Sequence, residues 1–273
     1  MIKMDVIEEA PSSPWSSPVT LHIKPGKVRF CLDARKLNAV TVKDAYPIPI
    51  MDGLLSRLPP VHCISKIDLK DAFWQIYLDQ ESRAKTAFTV PNRPLYQFKR
   101  MPFGLSNAPQ TMCCFMDLVI PYQLKSHVLV YLDDLLVLSN NFEDHLLHLS
   151  EVATQLRKAG LTINVQKSQF CLKTVDYLGY LVGEGTLQVN PNKIAAVRDF
   201  LVPKTQKQLR RFLGMTGWYQ RFISNYSTVI FNLTELLRGK SFSWNDLAQE
   251  AFDNIKDKLC SAPYLIHPKI GRA

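Results

Sequence analysis

The sequence predicts an α+β fold, and three features support that class. Short runs rich in Val, Ile, Leu and Tyr mix with helical segments without the regular alternation that marks a parallel sheet. From about Asn190 the chain changes to helices separated by Pro203, Gly214, Gly217 and Gly239. Hydrophobic residues make up 47% of the 273 residues, which is enough for a buried core. We therefore expect a mixed domain followed by a small helical one.

The first third of the chain is predicted to hold an extended arm, two hairpins and a short helix. The segment 11–18 is rich in Ser and Pro, which favours an extended arm. Apolar runs predict hairpins at 19–32 and 86–99, and the first of them turns through Lys24-Pro25-Gly26-Lys27. Prolines bracket a short helical stretch at 50–58.

The middle of the chain is predicted to supply further strands and two longer helices. These are, in order, the strand 63–69, the helix 108–121, the strands 128–132 and 135–138, and the helix 142–159. In the last of these, Leu149, Val152 and Leu156 recur at helical spacing and Gly160 supplies the stop. Two acids, Asp133 and Asp134, join the pair of strands.

Charge and cysteine content narrow the class of protein. Lys and Arg outnumber Asp and Glu by 33 to 24, which gives a formal charge of +9. That balance favours a polyanionic partner such as nucleic acid, although a protein that is merely basic would show it too. The six cysteines form no C-x-x-C pair, so reduced thiols are expected. Without a signal-like start or a membrane-length apolar run, we expect a soluble, intracellular, cytoplasmic protein.

Asp133 and Asp134 are unusual because two adjacent acids lie between two apolar strands. Carboxylates are depleted in strands and costly to bury without partners, so the pair either turns in solvent or presents ligands to a metal ion. A second apolar strand ends in another acid, Asp68. If these strands are neighbours, the carboxylates converge and suit a hard cation such as Mg²⁺. Both interpretations remain open at this point.

Seven segments, taken in order, resemble one known family. They are Ser13-Pro14-Trp15-Ser16-Ser17-Pro18, Arg29-Phe30-Cys31-Leu32-Asp33-Ala34-Arg35-Lys36-Leu37-Asn38, Asp68-Leu69-Lys70-Asp71-Ala72-Phe73-Trp74-Gln75-Ile76, Met101-Pro102-Phe103-Gly104-Leu105-Ser106-Asn107-Ala108-Pro109, Tyr131-Leu132-Asp133-Asp134, Tyr177-Leu178-Gly179-Tyr180 and Arg211-Phe212-Leu213-Gly214-Met215. Their order and spacing resemble the reverse transcriptases of Ty3/Gypsy-type long-terminal-repeat retrotransposons, particularly those of insects. The resemblance extends from about residue 11 to 265.

The resemblance implies a right-hand polymerase with fingers, a palm built on an antiparallel sheet, and a helical thumb. The implied segments are a fingers arm and hairpin at 1–60, the palm at 61–189 with a second fingers hairpin at about 79–100, the thumb at 190–240 and a connecting segment from 241 to 273. The implied activity is that of a nucleotidyltransferase, an RNA-directed DNA polymerase using two Mg²⁺ ions, with Mn²⁺ as an alternative. Its implied partners are RNA and DNA primer-templates and deoxynucleotides, without a membrane, in a dimer or a polyprotein.

The same resemblance assigns roles at the centre of the palm. Asp68 and Asp133 would ligate both metals, and Asp134 would support the site at the hairpin bend, so all three are candidate catalytic and metal-binding residues. The candidate deoxynucleotide-binding residues are Lys24, Arg29, Phe73, Phe103, Gly104 and Lys167. Phe73 matches an aromatic gate against the ribose 2′-hydroxyl, although aromatic residues more often belong to a core.

Further candidates concern the primer and template. They are Tyr131, Tyr177, Leu178, Gly179, Tyr180, Lys207, Arg210 and Arg211. The segment 177–180 resembles a primer grip, and a plain edge hairpin is the alternative. Basic residues beside aromatic ones suit backbone tracking of a duplex, although Leu209 and Phe212 have the spacing of a helical core.

The sequence departs from the full family pattern at both ends. The distal part of the fingers and the carboxylates of a ribonuclease H domain are absent, so the chain is expected to be a fragment. A rival hypothesis is a truncated or domesticated relic that binds nucleic acid without polymerising. Retention of Asp68, Asp133, Asp134, Arg29 and Phe73 argues against long decay.

Overall fold

The computed structural model describes residues 1–24, 27–56, 58, 61–183, 186–239, 241–261 and 265–266, with the backbone alone at 24, 27–29, 52, 265 and 266. The chain divides into two compact units. The first comprises Met1–Leu55 and Ser65–Cys171, and the second comprises Ser56–Ile64 and Leu172–Ala273. The predicted α+β class is confirmed, since both units combine helices with antiparallel strands.

The first unit holds, wholly or for the most part, nine strands and five helices of the described chain. The strands are β1 (Ile7–Glu9), β2 (Val19–Lys24), β3 (Lys27–Leu32), β4 (Cys63–Asp68), β5 (Phe88–Thr89), β6 (Leu95–Phe98), β7 (Val128–Tyr131), β8 (Asp134–Ser139) and β9 (Gln169–Leu172). The helices are α1 (Arg35–Val40), α2 (Met51–Ser56), α3 (Gln80–Lys85), α4 (Ala108–Val119) and α5 (Phe142–Lys158). Short 3-10 turns lie at Ile2–Met4, Ala72–Gln75 and Tyr122–Ser126.

Three sheets organise this unit. The largest has the strand order β7-β8-β4-β9, which sets β4 between two strands from later in the chain. A second sheet has the order β1-β6-β5, and β2 pairs with β3 as an antiparallel hairpin. Both predicted hairpins are therefore confirmed in their strands.

Helices α4 and α5 cover the four-stranded sheet with apolar faces. Met112 and Met116 of α4 and Val152 and Leu156 of α5 belong to one buried cluster that also contains residues of β4, β7 and β8. Spacings of four residues put each pair on one helix face. At the end of α5, Gly160 has φ +70°, which confirms it as the predicted stop.

The second unit combines a small sheet with helices. Its strands are β10 (Thr174–Tyr177), β11 (Tyr180–Gly183), β12 (Thr186–Val189) and β13 (Leu265–Ile266), and its helices are α6 (Pro191–Arg198), α7 (Gln206–Gly217), α8 (Tyr226–Val229), α9 (Phe231–Arg238) and α10 (Asp246–Cys260). Leu209, Phe212 and Phe252 are buried, and the Phe212 and Phe252 ring centroids lie 4.5 Å apart. The predicted core spacing in α7 is therefore confirmed. None of the described helices is both long and apolar enough to cross a membrane.

Candidate active site

The hairpin that carries Asp133 and Asp134 turns one residue earlier than the sequence suggested. Tyr131 pairs with Asp134 across β7 and β8, so the two turn residues are Leu132 and Asp133. Leu132 has φ +57°, a left-handed conformation that is unfavourable for a residue with a Cβ. The expected Asp-Asp turn is therefore wrong, because Asp134 already belongs to strand β8. This geometry places only Asp133 at the exposed tip.

Asp68 ends strand β4, and its backbone is fixed on both sides. Its N–H donates to Ser168 Oγ at 3.1 Å, and its carbonyl accepts from the N–H of Asn164 at 2.7 Å. The next amide, of Leu69, donates to the carbonyl of Asp133 at 3.2 Å. The predicted adjacency of the two acidic strands is thus confirmed.

Two lysines are paired with two of the three carboxylates. Lys167 Nζ lies 3.6 Å from Asp68 Oδ1, and Lys66 Nζ lies 3.6 Å from Asp134 Oδ1. Asp133 forms no ion pair with a described residue. The site therefore carries an excess of negative charge, and Asp133 is the carboxylate without a matching cation.

The titration of the hairpin acids reflects this imbalance. Although Asp133 as a whole is open to solvent, burial of its carboxyl raises the pKa, and the charges of Asp134 and Asp68 raise it further. Burial also raises the pKa of Asp134, while the charge of Lys66 acts in the opposite direction. Asp133, which lacks a lysine partner among the described residues, is thus the hairpin acid that would gain more from a bound cation.

A cavity of about 410 Å³ opens in front of Asp68 and Asp133. Lys167, Phe73 and Phe103 also line it, whereas Asp134 does not. The rings of Phe73 and Phe103 meet edge to face with centroids 5.4 Å apart. Phe73 also packs against the buried cluster of the four-stranded sheet. It is therefore both a wall of the cavity and a part of the core.

The loop after Phe103 is shaped by Gly104. Its φ of +97° is a conformation that residues with a Cβ rarely adopt, and an added Cβ would stand 3.4 Å from the carbonyl oxygen of Leu32. Asn38 holds this loop from α1, with its side-chain amide donating to the Gly104 carbonyl at 2.8 Å. The loop contributes Phe103 to the cavity wall, and Asn38 fixes its backbone at Gly104.

The donor set fits a divalent cation. Asp68 and Asp133 present carboxylate oxygens to one cavity, and such hard ligands are those that Mg²⁺ and similar ions prefer. In the described part of the chain the three carboxylates do not close into one cluster with mutual distances under 4.8 Å, and Asp134 instead lies beside Lys66. The chemistry of the site therefore selects hard divalent cations as a class.

The other predicted site residues have varied surroundings. The side chains of Lys24 and Arg29 lie outside the described residues. Tyr131 is half-buried beside the hairpin turn. In the second unit, Tyr177 and Tyr180 have buried side chains, so the turn residues Leu178 and Gly179 are the more accessible part of that hairpin.

The three basic residues predicted to contact nucleic acid are exposed on α7. They are Lys207, Arg210 and Arg211. Their spacing of three and four residues puts them on one helix face. Leu209 and Phe212 of the same helix are fully buried. The cations are therefore available for contact, while these apolar residues are not.

Sequence reasoning missed several residues that shape the site. Lys66, Asn38 and Ser168 contact Asp134, the Gly104 loop and the Asp68 backbone, respectively. The sequence could have indicated only Lys66, because a residue two positions before Asp68 in a strand points to the same face as Asp68. The other two contacts join residues far apart in sequence.

Comparison with known proteins gives a consistent result. Residues 18–182 match the family described as reverse transcriptase (RNA-dependent DNA polymerase). The retrovirus-related Pol polyprotein from transposon 297 of Drosophila melanogaster is 36% identical over 98% of this chain and 26% of its own length. The corresponding polyprotein from transposon gypsy of the same species is 30% identical over 93% of the chain and 26% of the relative. The chain thus spans about a quarter of the length of these relatives.

Yeast and viral proteins extend the comparison. The transposon Tf2-3 polyprotein of Schizosaccharomyces pombe is 30% identical over 97% of this chain and 20% of its own length. The foamy viral protease-reverse transcriptase in complex with double-stranded DNA has the same fold, with a TM-score of 0.91 over 99% of this chain and 57% of that chain at 24% identity. These relatives confirm the resemblance to gypsy-type elements. The chain belongs to the reverse transcriptase (RNA-dependent DNA polymerase) family.

Proposed function

We propose that this chain is an RNA-directed DNA polymerase that extends a primer with deoxynucleotides. The observation that carries the proposal is the meeting of Asp68 and Asp133 in one cavity with Phe73, Phe103 and Lys167. The primer 3′-hydroxyl would attack the α-phosphate, forming a phosphodiester bond as pyrophosphate leaves. In this proposal the first unit supplies fingers and palm, and the helices after Asn190 supply the thumb.

Asp68 and Asp133 would hold the divalent cations, for which we propose Mg²⁺. When bound, such ions supply charge stabilisation to the attacking and leaving oxygens of phosphoryl transfer. Lys167, whose side chain is 61% exposed, is free to move from Asp68 towards the phosphates of a nucleotide. Its ammonium would offset negative charge that develops on the leaving group.

The aromatic wall would select the sugar. The edge-to-face packing of Phe73 on Phe103 restricts both rings, so a bulky group at the ribose 2′ position would meet a wall that cannot readily move. Gly104 lets the backbone approach the nucleotide closely. RNA and DNA primer-templates are the proposed partners, and the exposed cations of α7 would follow their phosphates.

The test replaces one carboxylate and measures two properties. Asp133→Asn should lower primer extension on RNA and on DNA templates by at least about 100-fold, a loss typical of removing a group that stabilises transition-state charge. Binding of primer-template, measured by fluorescence anisotropy, should stay within about twofold because phosphate contacts supply most of that affinity.

Asp253→Asn is the matched control, since Asp253 is an exposed acid on α10. It should leave both measurements unchanged. Full activity of Asp133→Asn would refute the mechanism. If the unmodified chain binds nucleic acid in a salt-sensitive manner but never extends a primer, it is a nucleic-acid-binding relic instead.

A further inference from the structure

Lys66 lies on β4 two residues before Asp68. Successive side chains of a strand point to opposite faces, so Lys66 and Asp68 share one face. Strand β8, which opens with Asp134, is the neighbour of β4 in the sheet. The Lys66 ammonium can therefore reach Asp134 across the two strands, and the 3.6 Å separation shows that it does.

This ion pair is partly withdrawn from solvent. The Lys66 and Asp134 side chains are 22% and 26% exposed, whereas Lys167 in the other pair of the site is 61% exposed. Screening by water is therefore weaker at Lys66 than at Lys167, and the geometry of the Lys66 pair is better defined. Lys66 is thus suited to a fixed role and Lys167 to a mobile one.

The direction of the Asp134 carboxylate is the second observation. Asp68 and Asp133 line the 410 Å³ cavity, and Asp134 does not. The Asp134 carboxylate already lies within ion-pair distance of an ammonium, that of Lys66. Besides their different places in the hairpin, the adjacent acids Asp133 and Asp134 thus differ in that Lys66 lies beside Asp134.

We propose that Lys66 is a positioning residue that holds the Asp134 carboxylate away from the cation site of Asp68 and Asp133. It rests on the proposed function only in assigning a cation site to those two acids. Without the ammonium, Asp134 would turn towards the cavity and add a third carboxylate to the ligands. Divalent cations would then bind more tightly but in an arrangement that catalyses poorly.

The test is a double-mutant cycle read out by Mn²⁺ binding to the full chain, followed by electron paramagnetic resonance. Lys66→Gln should tighten Mn²⁺ binding by roughly three- to tenfold, a coupling of the size expected for contacting charges. In the Asp134→Asn background the same lysine change should alter binding by no more than about twofold, because Lys66 acts through Asp134.

Primer extension supplies a second readout. Lys66→Gln should lower kcat about tenfold while the KM for deoxynucleotide changes less than about threefold, and Lys66→Arg should restore most of kcat. Lys99→Gln is the matched control, because the Lys99 side chain is 24% exposed and also pairs with an aspartate, Asp5. That variant should leave Mn²⁺ binding unchanged.

Two results would overturn the proposal. One is an unchanged Mn²⁺ affinity in Lys66→Gln. The other is an effect of Lys66→Gln on Mn²⁺ affinity that is equally large in the unmodified chain and in the Asp134→Asn background. Lys66→Met carries the same test if circular dichroism shows that the glutamine variant is unfolded. A chain that extends no primer under any condition would refute the proposed function, while the Mn²⁺ cycle would still decide the role of Lys66.

Discussion

The side-chain amide of Asn38 is bonded on both sides to the backbone of the Gly104 loop. Its Nδ2 donates to the Gly104 carbonyl at 2.8 Å, and its Oδ1 accepts from the N–H of Ser106 at 2.8 Å. A second side-chain amide, on the loop side, contacts the segment after α1: Asn107 Nδ2 donates to the carbonyl of Val42 at 2.8 Å. The loop that borders Phe103 is therefore fixed from outside by α1 and the segment after it.

We expect Asn38→Ala to loosen this loop without unfolding the chain. Two neutral hydrogen bonds at a partly exposed site contribute about 1 to 3 kcal/mol together. The KM for deoxynucleotide should rise roughly tenfold, and discrimination against ribonucleotides should weaken, because Phe103 supports Phe73 through the ring contact. Steady-state extension with both nucleotide classes measures the two effects.

Asn254→Ala provides the control for Asn38, because Asn254 is exposed on α10. It should leave both kinetic parameters unaltered. Asn38→Asp should lose the contact to the Gly104 carbonyl while keeping an acceptor for Ser106. An Asn38→Ala enzyme with normal KM and normal sugar selection would show that the loop holds its shape unaided.

Two glycines of the second unit should respond in opposite directions to alanine. Gly183 is buried at the end of β11, and an added Cβ would collide with the carbonyl oxygen of Lys173 and stand 2.6 Å from Thr174 Cγ2. Since backbone cannot yield cheaply, Gly183→Ala should destabilise the unit by about 1 to 3 kcal/mol. Urea unfolding followed by tryptophan fluorescence gives the midpoint.

Gly214→Ala is the matched partner of that experiment. Gly214 lies within α7, and an added Cβ would meet nothing within 4 Å. Alanine restricts the unfolded chain and favours the helix, so the variant should gain about 0.5 to 1 kcal/mol. A loss of stability at Gly214, or tolerance at Gly183, would contradict the packing described.

Local patterns predicted most of the secondary structure because they depend on neighbouring residues. The apolar spacing along α5 and the stop at Gly160 both depend on residues that are close together in the sequence. The position of the acidic turn was not predictable in this way. Turn propensity favours Asp over Leu, yet Leu132 takes the left-handed position because the β7–β8 register pairs Tyr131 with Asp134.

The meeting of Asp68 and Asp133 could be predicted from the sequence, whereas the residues that support them could not. Asp68 stands out as a carboxylate at the end of an apolar strand, and Asp133 stands out as one between two apolar strands. Their partners are ordinary polar residues whose role depends on tertiary contact alone: Ser168 meets the Asp68 backbone from 100 positions away. Periodicity carries no information about such contacts, which is why the contacts of Asn38 and Ser168 are evident only in the fold, whereas strand alternation could have placed Lys66 on the face of Asp68.

A buried hydrogen-bond chain is centred on His145. His145 Nε2 lies 2.7 Å from Ser65 Oγ, and Nδ1 lies 2.9 Å from Ser139 Oγ. The N–H of Cys171 donates to Ser65 Oγ at 2.9 Å. Ser139 Oγ also lies 2.8 Å from His148 Nδ1. Both ring nitrogens of His145 are thus engaged by buried serine hydroxyls.

Burial accordingly lowers the pKa of His145 below its ordinary value, and the charge of His148 lowers it further. The pKa of a histidine in the unfolded chain is about 6.5. Below about pH 6.5 this histidine is therefore protonated in the unfolded chain while it stays neutral in the folded chain. Stability should therefore fall as the pH drops from about 6.5 towards the folded pKa, with a slope of up to about 1.4 kcal/mol per pH unit for one group.

His145→Gln tests this sign, because glutamine does not titrate. The variant should be less stable at pH 7.5 but should lose less stability between about pH 6.5 and 5, measured by urea unfolding at each pH. Some slope should remain, since burial also lowers the pKa of His148. His22→Gln, at an exposed strand position, should keep the full slope. The hairpin carboxylates are present in the unmodified chain and in both variants, so their contribution to the pH dependence cancels in the comparison. If stability falls equally steeply with pH in His145→Gln and in the unmodified chain, His145 is not the source of the acid sensitivity.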